Sequence, residues 1–114
     1  METKKLFFME CHLAGRQYYD ANEVWDSLKI GTVLALERDP DNKYDHEAIL
    51  LKFVDPDTQN EYKLGYIPSV HNSQLAALMD MGWGDIFECR ISQINPQEHY
   101  ERQIRITLQV KKRA

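Results

Sequence analysis

Apolar and polar residues alternate in six separate stretches of this chain, and each stretch reads as a β-strand. Phe7, Met9, Cys11 and Leu13 stand two apart with more polar neighbours between them. Residues 32–38 (TVLALER) form a mostly apolar run after Gly31, Ile49, Leu51 and Phe53 alternate around Lys52, and residues 62–67 (YKLGYI) end at Pro68. Phe87, Cys89 and Ile91 alternate with Glu88, Arg90 and Ser92, and Ile104, Ile106, Leu108 and Val110 with Arg105, Thr107 and Gln109. Successive side chains of a strand point to opposite faces, so a period of two predicts one buried face and one wet one. Asp39-Pro40, Asp55-Pro56-Asp57 and Asn95-Pro96 mark turns between the strands.

Two segments have helical spacing instead. Ala21, Val24, Trp25 and Leu28 fall at i, i+3, i+4 and i+7, with Asp20 and Glu23 placed as a capping box and Gly31 ending the pattern. Leu75, Leu78 and Met79 make a second apolar face, with Ser69 or Asn72 placed to cap its start and Gly82 its end. The expected fold is mainly β with two short helices: a strongly curved sheet or barrel of about six strands, closed at its ends by the helices. The sheet should be mostly antiparallel, because only the 69–82 connection is long enough to cross over.

Size and composition fit one domain spanning 1–114 with its core in about 7–110; the chain has 114 residues, 43% of them hydrophobic and 28% charged. No repeat, low-complexity tract or linker divides it. The net charge of −4 and pI near 5.5 argue against a partner held mainly by bulk charge, such as duplex DNA or an acidic membrane. A small local site for nucleic acid is compatible with both. Cys11 and Cys89 lie in alternating segments and read as two buried thiols of a reducing compartment. The apolar run Leu6-Phe7-Phe8-Met9 is too short for a signal peptide or a membrane span. The expectation is a cytoplasmic protein, with no membrane partner and with association with the nucleoid open.

The chemistry concentrates in Arg38 to Ile49, RDPDNKYDHEAI, where carboxylates surround one tyrosine. A calcium-binding EF-hand loop starting at Asp39 would put Lys43 at a ligand position, Tyr44 where glycine must turn and Leu50 where a glutamate must chelate. That reading fails. Glu37, Asp39, Asp41, Asp45 and Glu47 are numerous enough for a carboxylate pair, yet Arg38 and Lys43 are interleaved to neutralise them. His12, His46, His71 and His99 show no HxH or HExxH spacing, and zinc through Cys11, His12 and Cys89 has no ligand spacing behind it. Neither a G-x-S-x-G elbow nor a Walker A loop occurs. The sequence therefore reads as non-catalytic, with no metal and no cofactor. Tyrosines remain: Tyr18-Tyr19 before the first helix, Tyr44 in the loop and Tyr66 at a strand end. Strand-end tyrosines commonly pack a core or barrel rim, but exposed ones on a curved β platform are what single-stranded nucleic acid stacks on.

The order Gly15-x-x-Tyr18-Tyr19, Leu28-x-x-Gly31, LERDPDNKYDHEAI (Leu36 to Ile49), KLGYIP (Lys63 to Pro68), Asn72 and the Leu75–Gly82 helix resembles the HIRAN domain. This module stands at the front of certain DNA-remodelling helicase-like ATPases and also occurs as stand-alone bacterial proteins, the type this chain is most similar to. The resemblance implies an OB-like modified β-barrel with two helices, and binding of single-stranded DNA at its free 3′ end, which in helicase-like members helps reverse stalled replication forks. It implies that Tyr18 and Tyr44 flank or stack on the terminal bases, that Asp45 accepts a hydrogen bond from the 3′-hydroxyl, and that Asn42 shapes the loop and reaches the sugar or a phosphate. Tyr66 occupies the position where some members carry histidine near a phosphate. Arg16, Arg38, Lys43 and Lys63 are the local cations for the phosphodiester backbone, Arg38 reading equally as a structural partner of a neighbouring carboxylate.

An acidic residue in a DNA site makes physical sense as an end-selector: it accepts a strong bond from a terminal hydroxyl and repels a phosphate in the same place. Gln17, Ser69 and Glu47 depart from the family pattern by removing positive charge from the expected DNA face, which predicts weak, short-site binding with a shallow salt dependence. The expected partners are a 3′ single-stranded end and a separate helicase or nuclease. The alternative is a protein-interaction module on the same scaffold that has lost DNA binding.

Overall fold

In a computed structural model of the chain, which describes residues 4–113, six strands form one sheet. They are β1 (Leu6–His12), β2 (Val33–Arg38), β3 (Ile49–Val54), β4 (Glu61–Tyr66), β5 (Phe87–Ile94) and β6 (Ile104–Val110). Their order is β1-β6-β5-β2-β3-β4, and every neighbouring pair is antiparallel. Each stretch singled out by its alternation is a strand. The inward positions of that alternation, Leu34, Ile49, Leu51, Leu64, Ile91, Ile106 and Leu108 among them, are buried in one core. Removing such a side chain from water contributes about 1.5–3 kcal/mol each, which is why one face of every strand is fixed inward.

The sheet is not a closed barrel. Its two edge strands meet only just beyond the end of β1, where Ala14 and Tyr66 each donate a backbone N–H to the other's carbonyl at 2.9 Å. Beyond that pair the chain leaves the sheet through Gly15 (φ 77), so no ladder continues. The close approach also explains the glycine of KLGYIP. A Cβ on Gly65 would lie 2.3 Å from the Ala14 carbonyl oxygen and 2.4 Å from a Leu13 methyl carbon, well inside the van der Waals contact distance of either.

Both helical segments are shorter and less regular than their spacing predicts. The first consists of two 3-10 segments, Arg16–Tyr18 and Asp20–Ser27, the second kinked at Val24 (φ −124). A tighter helix serves the same i, i+3 spacing, so Ala21 and Val24 are still buried. The expected capping box does not form: the Asp20 carboxylate accepts instead from the backbone N–H of Lys63 on β4, at 3.1 Å. The second segment is α1 (Ser73–Leu78), which widens into a π turn over Met79–Trp83, where Gly82 (φ 94) ends it as the sequence suggested. Neither Ser69 nor Asn72 caps α1 with its side chain. The connection through 69–86 carries the chain from edge strand β4 to interior β5, and the 13–32 connection likewise crosses from edge strand β1 to β2. The 69–82 segment is therefore not the single crossover that its length suggested. Cys11 and Cys89 are buried and unpaired, and burial pushes both thiols up, Cys11 to about 11.

Candidate functional site

The loop from Asp39 to Ala48 joins β2 to β3 and is shaped from within by its own polar residues. Asp39 N–H donates to the Ala48 carbonyl at 2.9 Å, closing the loop at its base. Inside it the Asn42 side-chain oxygen accepts from the N–H of Tyr44 at 2.9 Å and of Asp45 at 3.2 Å, the turn that asparagine forms by imitating backbone. Asp45 repeats the device one step on, its Oδ1 accepting from Glu47 N–H at 2.9 Å. Arg38 binds the loop from behind. Its Nη1 donates to the Ala48 carbonyl at 2.6 Å and its Nη2 to that of His46 at 2.9 Å, while Nε reaches Asp80 at 2.9 Å.

This scaffold turns the Tyr44 ring outward, 86% exposed, with the Lys43 ammonium 5.3 Å from its centre. Beside it opens a cavity of about 230 Å3 whose walls include Tyr19, Asn42, Tyr44, Asp45, Tyr66 and Ser69. Tyr19 packs edge-on against Tyr66 with ring centres 5.7 Å apart. The Tyr66 hydroxyl donates to Asp39 Oδ2 at 2.7 Å, and the Asn42 amide donates to the same oxygen at 3.3 Å. These two bonds, Tyr66 first, hold the Asp39 carboxyl below its ordinary value. Burial, reinforced by the bond to Asp39, pushes the Tyr66 phenol up, so it stays a neutral donor at physiological pH. Asp45 is half-buried, and its Oδ2 accepts from the Asn72 side-chain amide at 2.7 Å.

Four of the expected site residues, Asn42, Tyr44, Asp45 and Tyr66, thus share one cavity, and the Lys43 ammonium lies 5.3 Å from the Tyr44 ring centre. Lys63 is exposed on β4, and its charge contributes to the lowering at Asp39. The guanidinium of Arg38 is taken up by the loop carbonyls and Asp80, the structural role that the sequence left open. Tyr18 is 74% exposed but does not line the cavity; Tyr19 does. Arg16 lies elsewhere. Its side chain is 4% exposed, donates to Asn22 Oδ1 at 2.9 Å and sits 4.4 Å from the Trp25 ring centre and 5.2 Å from that of Tyr100. It borders a separate cavity of about 440 Å3 that Trp25, Tyr100 and Gln103 also line.

Sequence reasoning passed over Tyr19 and Asn72 as site residues. The resemblance gave the stacking role to Tyr18 and none to Tyr19, and it is Tyr19 that the turn places against Tyr66. Among the described residues no group of three or more His, Cys, Asp or Glu side chains could hold a metal ion, and no helix is long and apolar enough to cross a membrane.

Known proteins agree with this architecture. The family model of the HIRAN domain matches residues 6–111. A protein from Lactobacillus plantarum of known crystal structure superposes with a TM-score of 0.76 at 23% identity, covering 98% of this chain and 100% of that one. The crystal structure of the HIRAN domain of human HLTF gives a TM-score of 0.57 at 20% identity, covering 94% of this chain and 77% of that one. Both likenesses are likenesses of fold. Among curated proteins none matches at a significant level. With the family model matched from the first residue of β1 to just past the last of β6, the chain belongs to the HIRAN domain family, whose members are nucleic-acid-binding modules.

Proposed function

We propose that this domain binds single-stranded DNA at its free 3′-hydroxyl end without catalysing a reaction on it, in the service of DNA repair or stalled-fork processing by a separate helicase or nuclease. The observation that carries this reading is the pairing of an exposed ring with a fixed carboxylate: Tyr44 stands outward beside Asp45, in a cavity that both of them line. A ring so exposed offers its face to a terminal base, worth about 1–3 kcal/mol per stacked base. The neighbouring carboxylate accepts the terminal hydroxyl and repels a phosphate in the same place.

Asn42 and Tyr66 line the same cavity and offer polar atoms to the sugar. Lys43 and Lys63 supply exposed positive charge for one or two phosphates, while Arg38 contributes by fixing the loop. Tyr18 presents a second exposed ring on the adjoining turn, from which Arg16 points inward. With so few cations available and a net charge of −4, the affinity is modest and its salt dependence shallow. Titrating one short labelled oligonucleotide with a 3′-hydroxyl against the same strand with a 3′-phosphate tests the proposal. Preference for the hydroxyl is expected. Equal affinities would remove end recognition, and binding of neither would leave a protein-docking module as the reading for this member.

A further inference from the structure

Asn72 has the least exposed polar side chain among the described residues, at 1%. It directly precedes α1, the place where an asparagine normally turns its side-chain oxygen back onto the first N–H groups of the helix. It makes no such bond. Its backbone carbonyl accepts from Ala76 N–H at 2.8 Å, and its side-chain amide leaves the helix to donate to Asp45 Oδ2 at 2.7 Å. A second bond ties the same segment to the same loop, Ser73 Oγ to Glu47 Oε1 at 2.9 Å, and a third ties it to the last residue of β2, Arg38 Nε to Asp80 Oδ1 at 2.9 Å. The segment 72–80 is therefore pinned at three places, twice to the loop between β2 and β3 and once to the end of β2.

The chemistry of the Asn72 pin sets it apart. A lysine or arginine would hold the Asp45 carboxylate and also cancel its charge. An amide holds it and leaves the charge in place. With Asn72 on one oxygen and Glu47 N–H on the other, the carboxylate is fixed in orientation, and each oxygen keeps a lone pair for a further donor.

We propose that Asn72 is the positioning residue of the end-binding pocket: it sets the orientation of Asp45 without placing a cancelling positive charge beside it, and so creates the preference for a terminal hydroxyl over a terminal phosphate. The inference rests on the end-recognition reading above.

The test compares the 3′-hydroxyl and 3′-phosphate oligonucleotides on wild type, Asn72→Ala, Asp45→Asn and the double variant, with a melting curve for each. Asn72→Ala should cut the hydroxyl preference about tenfold, the scale of one misaligned charge-assisted hydrogen bond. The double variant should lose no more preference than Asp45→Asn alone, because the two residues act as one unit. If Asn72→Ala weakens both oligonucleotides equally, or lowers the preference further in the Asp45→Asn background, Asn72 is structural only and the inference falls. Should Asn72→Ala fail to fold, the wild-type protein still decides. The Asn72 side-chain amide resonance should shift with the 3′-hydroxyl strand and stay in place with the 3′-phosphate strand; identical responses would overturn the inference. A wild-type preference of one would instead sink end recognition itself, and the wild-type titration reveals that before any variant is made.

Discussion

Tyr66 donates its hydroxyl to Asp39 across 2.7 Å, joining the last residue of β4 to the first residue of the loop after β2. β2 and β4 both pair with β3, so the bond bridges across the end of the middle strand and closes one wall of the cavity. Tyr66→Phe deletes the donor and keeps the ring against Tyr19. The expected loss is about 1 kcal/mol, since the carboxylate is partly solvated and keeps its bond from Asn42. Its pH dependence identifies the cause. The folded-state value of Asp39 is held below the ordinary 3.8, so its contribution is present above that value and disappears as pH falls through and below it. The difference in Tm between wild type and Tyr66→Phe should hold steady from neutral pH to about pH 5 and shrink below about pH 4. A difference that persists undiminished at pH 2.5 would show that ring packing, not the carboxylate, is what the hydroxyl supports.

Gly65 is the point where the two sheet edges come within contact. A methyl group there meets the Ala14 carbonyl and the Leu13 side chain at once, and neither belongs to a flexible tip, because Leu13 is fully buried and Ala14 is bonded to Tyr66 on both sides. Gly65→Ala should destabilise by about 2–3 kcal/mol, the range for overpacking a closed site, read as a lowered denaturant midpoint with unchanged slope. Because Tyr66 follows directly, oligonucleotide affinity should fall with it. A silent Gly65→Ala would mean that the edges move apart without cost.

Arg38 separates a structural cation from a phosphate-binding one. Its guanidinium already donates to two loop carbonyls and to Asp80, a planar fork that lysine cannot reproduce. Arg38→Lys keeps the charge and should still lower the Tm and weaken oligonucleotide binding. The slope of log affinity against log salt should not change, whereas loss of Lys43 or Lys63 should each reduce it by about 1. A salt slope that falls in Arg38→Ala as it does in Lys43→Ala would assign Arg38 to the phosphate backbone after all.

The strands were legible because a period of two survives in a sequence wherever one face is buried: Ile104 to Val110 shows it without interruption and is a strand over those residues. The mainly β fold followed from that signal. Barrel closure did not, because whether two edges pair is decided by where the chain leaves the sheet, here at Gly15, and not by the pattern within either strand. The helices were located but misjudged in kind, since spacings of three serve α and 3-10 helices alike, and Asp20 found a backbone partner on β4 in place of its own helix. In the loop, the shaping role of Asn42 was implied by the motif, whereas the second turn at Asp45 was not. The long-range bonds from Tyr66 to Asp39 and from Asn72 to Asp45 could not be read, because each joins residues 27 apart in sequence. Arg16 shows the same limit: it stands one residue from Gln17 and two from Tyr18, yet its side chain enters a different cavity.

Tyr44, Tyr19 and Tyr18 can be told apart by one set of measurements. Tyr44 is the most exposed of the large apolar and aromatic side chains among the described residues, with the Lys43 ammonium beside its ring, so Tyr44→Ala should leave the Tm within about 1 °C, as surface substitutions do. If its ring stacks on the terminal base, the same change should weaken a short 3′-hydroxyl oligonucleotide by about 1–3 kcal/mol, or roughly ten- to a hundredfold in Kd. Tyr19 packs on Tyr66 inside the cavity wall, so Tyr19→Ala should lower both Tm and affinity. Tyr18 is exposed and outside the cavity, and Tyr18→Ala should keep the Tm while weakening binding only for strands long enough to reach past the terminal nucleotide. A length series of oligonucleotides separates the two exposed rings. Loss at Tyr44 independent of length, with loss at Tyr18 growing with length, places Tyr44 on the last base. The reverse order would move the strand end away from Asp45 and onto the turn at Tyr18.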